Sequence, residues 1–454
     1  MNTMSSKLVL ATCILFLLAA PHALGRVAKD TDRDHYVNST DPRADDSGPG
    51  SRQRPWKSLA AVNSHTFKPG DSVHFARSSS YKGGFVIKDS GTAAKPIMLT
   101  TYGKGPPPSF SNSDFNVLNG NVIQIKGSYV IVDGLYFHDG AQSPTVKNED
   151  VLRVADIFVA KGADHNIIQN SEVKNSPVGF HICGQFNLIT RNRLHDTNRY
   201  LAGANWGPIA IVLSNGNNEV SYNRITNYLS IGGKYGADGG ALEFDPRIYG
   251  DPIHDVKIHH NYSYGNEGFL ESTRSDSQPT GRVWIAYNVS NDYQEFILLW
   301  QGHDWSIENN TVLRVLPKNS VTDVVFTFRE NGNAIWNNIF VVSSGRKVFP
   351  ITAQAHTAWQ TGPDKHTTPI SISAWMEANR TPSAWRSDAG KRLPIRNLWI
   401  LPSPTSISHP AVRRWIRASE QTLSLISTAI RCPQAKLPTL ARMNSVDETG
   451  EEPE

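Results

Sequence analysis

Two short stretches of the sequence carry carboxylates in matching settings. GGALEFDP (239–246) holds Glu243 and Asp245, with Asp238 just ahead of it, and EGFLEST (267–273) holds Glu271. If each stretch is a half-buried strand, alternate residues face opposite sides. Leu242, Phe244 and Leu270 then face a core, while Glu243, Asp245, Phe269 and Glu271 face outward. Two carboxylates held close together do not both ionise easily, so one keeps its proton and the other stays charged. That division of labour suits a general acid working with a base or nucleophile at a glycosidic bond. Glu243 and Glu271 are the expected catalytic pair, with Asp238 or Asp245 tuning or replacing one of them.

Other side chains nearby could hold a substrate. Lys234, Arg247 and Arg274 fall in the same stretch; they would bind a polar or anionic ligand, or serve as ordinary ion-pair partners of the carboxylates. Gly239 and Gly240 allow close approach of backbone or ligand. In EFILLWQ, placing Ile297 and Leu299 inside puts Leu298 and Trp300 outside, where the indole could stack on a sugar ring. In VGFHICG, inward Val178, Phe180 and Ile182 leave His181 outside as a surface histidine or a site residue. Arg329 lies near a strand end in TDVVFTFREN.

The elements that must position these groups are visible in a repeat. Seven alternating stretches reach an Asn at a similar phase: IIQNSEV (Asn170), LITRNRL (Asn192), EVSYNRI (Asn223), KIHHNYS (Asn261), WIAYNVS (Asn288), SIENNTV (Asn310) and AIWNNIF (Asn338). They recur every 22 to 38 residues, a period that marks a repeat architecture. A strand that turns at Asn and returns one coil later describes a parallel β-solenoid. Asn tolerates the left-handed conformation and bonds its own backbone at turns, and stacked Asn amides can bond along the stack. Glu243 and Glu271 lie roughly 18 residues before Asn261 and Asn288. Consecutive coils stack about 4.8 Å apart, so the two glutamates are expected side by side on one outer face.

The chain has 454 residues, 45 Lys and Arg against 41 Asp and Glu, and a net charge of +4. With no basic run, nucleic acid is not an expected partner. Residues 1–25 read as a secretion signal: Lys7, the apolar run Leu8–Ala20, and a small-residue cleavage site at Ala23-Leu24-Gly25. The run is shorter than the ~20 residues a spanning helix needs. A soluble exported protein is expected, extracellular or periplasmic, with no membrane partner after signal removal. Cys13 leaves with the signal; Cys183 and Cys432 remain, and Cys183 suits a small buried position. No Cys/His cluster has metal spacing. No cofactor is therefore expected; calcium is compatible, but no motif carries it.

Ahead of the repeat, RPWKSLAAV reads as a short helix with Pro55 in its first turn and Trp56, Leu59, Ala60 and Val62 as its apolar face. Such a helix would plug the open end of a solenoid. HYVNSTDPRADDSGPGSRQRPWKSL (35–59), FKPGDSVHFARSSSYKGG (67–84) and SGTAAKPIMLTTYGKG (90–105) resemble the amino-terminal signature of secreted right-handed parallel β-helix proteins. That group includes polysaccharide lyases acting on alginate, chondroitin and pectate. The resemblance covers about residues 35–345 and implies a right-handed parallel β-helix with a polysaccharide ligand. The lyases' calcium ligands and Lys/Arg base find no match at these positions. Phe244-Asp245-Pro246 is similar to a phrase of alginate epimerases, whose following His is Arg247 here.

The expected organisation is a signal at 1–25, an irregular segment at 26–52, the β-helix at 53–345 and a tail at 346–454. The tail loses the Asn phase, gathers Trp359, Trp375, Trp385, Trp399 and Trp415, and holds one helix-like stretch at 413–431. It reads either as a divergent cap or as sequence translated out of frame. Five glycosylation sequons occur, at Asn38, Asn261, Asn288, Asn309 and Asn379. The first functional expectation is glycosidic hydrolysis through Glu243 and Glu271. A lyase or C5-epimerase on a uronate polymer is the second, with Lys234, Arg247, Arg274 and His181 as candidate cation and base. The third is a non-catalytic adhesin or carbohydrate-binding solenoid. Fold alone does not choose among them, and oligomeric state is left open.

Overall fold

The computed structural model describes residues 33–114, 116, 118–140, 154–197, 207–229, 239–246, 252–272, 280–300, 302–316, 326–328, 333–342, 348 and 372–376. The proposed signal at 1–25 lies outside them. Among the described residues the strands form three parallel sheets, of 11, 11 and 9 strands, and one two-stranded sheet. One coil shows the plan. Ile167–Gln169 lies in the first sheet, Glu172–Lys174 in the second and Val178–Ile182 in the third, and Leu188–Thr190 returns to the first beside Ile167–Gln169. The chain is a right-handed parallel β-helix, as expected.

Alternation fills the lumen. Ile168, Val173, Phe180 and Ile182 from one coil, and Ile189, Leu194, Ile211 and Leu213 from the next, are at most 1% exposed. Each such side chain contributes roughly 1.5–3 kcal/mol of burial. Edge-to-face rings such as Phe75 and Phe110, 5.0 Å apart, continue the packing along the axis.

From Val130–Asp133 onward the corner between the first and second sheets is short. The two residues between Ile167–Gln169 and Glu172–Lys174 recur between Leu188–Thr190 and Arg193–Thr197, and so along the helix. The second corner residue builds a ladder: Asn192, Asn223, Asn261, Asn288, Asn310 and Asn338, all at most 2% exposed. Each Oδ1 accepts the backbone N–H of the residue one rung back, at 2.8–3.0 Å. Each Nδ2 from Asn192 to Asn310 donates to the Asn ahead. Asn170 does not belong to this ladder, contrary to expectation. Ser171 takes the first rung, its N–H donating to Asn192 Oδ1 at 3.0 Å. Asn170 instead occupies the preceding left-handed position, with φ 51°, and donates to Asp133. The left-handed turn and the ladder are thus adjacent residues, and Tyr222, His260 and Tyr287 also adopt that turn. Their rings stack at 4.8 and 5.0 Å, which offsets part of the ~1–2 kcal/mol cost of the conformation.

Asn261 and Asn288 are ladder residues at 2% and 0% exposure. Their sequons should stay unmodified when the chain is made in a glycosylating host. Peptide mapping by mass spectrometry that found a glycan on either would contradict the ladder.

The N-terminal end is closed by Leu59–Ser64, a helix capped by Ser58 Oγ, which accepts from Ala60 N–H. Leu59, Ala61 and Val62 are its buried face. Ala60 is exposed, and Pro55 precedes the helix rather than opening it. Asn63 pairs with both sides of the edge of the third sheet, donating to Gly84 O and accepting from Val86 N–H. The first strand, Asp34–Val37, falls inside the segment expected to be irregular, because it pairs in register with Ser72–Ala76. At the other end Ile372–Met376 pairs with Asn338–Val342, beyond residue 345. Asn379, Cys432 and the stretch 413–431 lie outside the described residues.

Candidate active site

The third sheet carries an outward row that runs along the helix axis. Strand register aligns Gln124, Phe158, His181, Val212, Glu243, Glu271 and Leu298 as successive lateral neighbours. The inward row beside it includes Ile211, Leu242, Leu270 and Ile297, all at most 3% exposed. Glu243 and Glu271 are direct cross-strand partners on Gly240–Phe244 and Gly268–Ser272. The expected adjacency therefore holds at the level of the backbone, with rungs about 4.8 Å apart. Glu243 is 5% exposed and Glu271 is half-buried. The pair lies between Val212 and Leu298, so apolar side chains bound it on both rungs.

The other candidates divide by location. Asp245 follows the strand and is fully buried, its N–H donating to Leu213 O at 2.9 Å. It is thus not a solvent-facing carboxylate. Asp238, Lys234, Arg247, Arg274 and Arg329 lie outside the described residues. His181 faces outward by register but is 0% exposed, which rules out the surface histidine. It sits edge-on to Phe158 at 5.4 Å, with Nε2 2.9 Å from Ser214 Oγ and 3.3 Å from Cys183 Sγ. Ile297 and Leu299 do face inward, which settles that strand. Trp300, just past it, is half-buried and donates its N–H to Ser272 Oγ.

Phe269 is the clear failure of simple alternation. It was expected outside, yet it is 0% exposed and stacks on Phe296 at 4.8 Å. The chain is still turning into the third sheet at this position, so the side chain points to the lumen. Ala210 and Ala241 occupy the same place on preceding rungs and are buried. At Gly179 an added Cβ would come within 2.5 Å of core Leu194.

A buried polar network supports the strand that carries Glu271. Glu267, just before it, is 3% exposed and accepts from Gln294 Nε2 at 2.9 Å. Gln294 O accepts from Arg314 Nε, and Arg314 Nη2 reaches Ser290 Oγ, which donates to Asp292 at 2.6 Å. Arg314 and Asp292 are both fully buried. Burial pushes the Asp292 carboxyl above the usual range, and the Arg314 charge opposes this. Reading the sequence strand by strand misses Arg314, because no local pattern marks a charge that turns inward at a corner.

In chain order, long stretches separate the strands of the third sheet from those of its neighbours. Between the second and third sheets the chain spends residues 198–208, 229–239 and 315–325; between the third and first it spends 245–256 and 273–283. The first-to-second corner takes two residues in the same coils.

Neither a protein-family model nor a curated protein matches the sequence. Among solved structures the fold is similar to a PL6 family alginate lyase, with 15% identity over 82% of this chain and 52% of that one and a TM-score of 0.51. The chain thus spans about half of that enzyme's length. Looser similarities include a GH136 lacto-N-biosidase from Eubacterium ramulus (13% identity, 76% of this chain, 67% of that one, TM-score 0.43). An alginate lyase from a Paenibacillus strain is another (16% identity, 71% and 97%, TM-score 0.42). At these identities the PL6 likeness is one of fold. No helix among the described residues is long and apolar enough to cross a membrane.

Proposed function

We propose that this protein is exported and cleaves a polysaccharide on the outer face of its third sheet. In this reading Glu243 and Glu271 hydrolyse a glycosidic bond. The observation that carries it is their cross-strand register. Glu243, the more buried of the two, is assigned as general acid, and Glu271, half-buried, as base or nucleophile. The ~4.8 Å spacing of neighbouring rungs is nearer to the ~5–5.5 Å carboxyl separation of retaining enzymes than to the ~6.5–9.5 Å of inverting ones. Retention of anomeric configuration is therefore expected. A linear polymer would meet one rung after another along the row.

A second reading is a lyase or C5-epimerase acting on a uronate polymer. It draws on His181, which shares the outward row two rungs from Glu243, and on Lys234, Arg247 and Arg274 to neutralise a carboxylate. One experiment separates the readings. The purified protein is incubated with neutral and uronate polysaccharides, and new reducing ends, ultraviolet absorbance of a C4–C5 double bond, and the first-formed anomer by NMR are followed. New reducing ends without absorbance, with retained configuration, are the expected result. Absorbance rising with the reducing ends transfers the function to the lyase reading, and tight binding with no product transfers it to a binding solenoid.

A further inference from the structure

A second cluster lies at the N-terminal end, away from the carboxylate row. His35 sits on the first strand, His65 just past the helix, and Asp71 at the turn into Ser72–Ala76. One ring nitrogen of each histidine and one carboxylate oxygen lie within 4.8 Å of one another, and no other such group of three His, Cys, Asp or Glu occurs among the described residues. His35 Nε2 is 3.9 Å from Asp71 Oδ2, and the two side chains are 9% and 6% exposed. A gap of that size is too long for a hydrogen bond. It is about half an ångström longer than the ~3.4 Å edge of a tetrahedron whose corners lie ~2.0–2.1 Å from a zinc ion, so the side chains would draw inward on binding.

The surroundings are those of a coordination site. His35 Nδ1, the nitrogen other than the one facing Asp71, is buried without a hydrogen-bond partner, so no protein group fixes the tautomer of the ring. Asp71 is oriented by the Lys68 N–H, which donates to Oδ2 at 2.7 Å, the kind of support that ligating carboxylates receive. Trp56 stacks on His35 at 5.0 Å and 5°, and Phe67 meets His65 at 4.7 Å, so apolar walls shield the cluster. His65 is partly exposed and leaves a path for entry. Two imidazoles and a carboxylate favour a borderline transition ion over calcium or magnesium, which take oxygen ligands. The strand register creates the cluster: Asp34 pairs with Ser72 and His35 with Val73.

We propose that His35, His65 and Asp71 bind one divalent transition-metal ion, zinc above all, which clamps the first strand, the capping helix and the first turn together. Along the chain these residues stand 30 and 6 apart, so no spacing motif announces them.

The test uses the whole purified chain, stripped with a chelator and titrated with zinc chloride or cobalt chloride. One equivalent should bind per chain, raise the melting temperature to a plateau at equimolar metal, and give cobalt visible d–d absorption. Calcium should do neither. His65→Gln and Asp71→Asn, which leave the His35–Trp56 stack intact, should weaken binding at least tenfold and remove the metal-dependent rise in melting temperature. A folded wild-type chain with no cobalt band and no more bound zinc than either variant overturns the proposal. So does a variant that folds and still binds one equivalent with unchanged affinity. A metal-bound chain lacking any polysaccharide activity would leave the clamp intact and refute only the proposed catalysis.

Discussion

Replacing Glu243 or Glu271 by Gln should lower turnover about 10²–10⁴-fold, the contribution of a positioned acid or base. Gln keeps the size and the acceptor oxygen of the side chain but can neither give up nor take a proton at neutral pH. The loss should therefore appear in kcat, with little change in KM. Because the two residues sit on neighbouring rungs and are proposed to act on one bond, their effects should not add. The double variant should be about as slow as the worse single one. His181→Ala serves as the control that distinguishes chemistries: under hydrolysis its effect is smaller than either glutamate change. Full activity in both Gln variants, with circular dichroism unchanged, would remove the pair from the mechanism.

The second large effect concerns stability. Asn261→Ala should destabilise the helix by about 3–5 kcal/mol. The Asn261 side chain accepts from the Asn223 N–H and Nδ2, both at 3.0 Å, and donates to Val220 O at 2.9 Å and Asn288 Oδ1 at 3.0 Å. All of these groups are buried. Each orphaned backbone group costs roughly 1–3 kcal/mol. Asn309→Ala is the comparison: Asn309 is a corner neighbour outside the ladder, so its loss should cost well under half as much. Equal midpoints for Asn261→Ala and wild type in urea unfolding would show that the ladder is geometrically present but energetically idle.

The repeat and the third-sheet register were legible in the sequence because two independent signals agree. The Asn phase gives the coil, and the alternation gives the face. That agreement placed Glu243 opposite Glu271 without coordinates. Three features were not legible, each for a physical reason. Asn170 was read one residue out of phase, because Asn suits both the left-handed position and the ladder beside it; the following Ser171 takes the rung. Phe269 was placed outside, since period-two reading assumes a straight strand and this residue sits on a bend. His181 faces outward as expected, yet it is fully buried, because alternation gives direction rather than depth. The N-terminal cluster was invisible for a related reason. Its three members meet only when the first two strands of one sheet lie side by side.

The unequal corners have an evolutionary consequence. From Val130–Asp133 to Ser306–Glu308 the corner between the first and second sheets stays at two residues per turn, while greater length accumulates where the chain enters and leaves the sheet bearing the glutamates. Insertions there can reshape what the protein recognises without disturbing the spine of asparagines. Such a scaffold can diverge in specificity quickly while its framework drifts slowly, and engineered segments grafted within 198–206 or 273–279 should be tolerated where a single inserted residue at Tyr287–Asn288 is not.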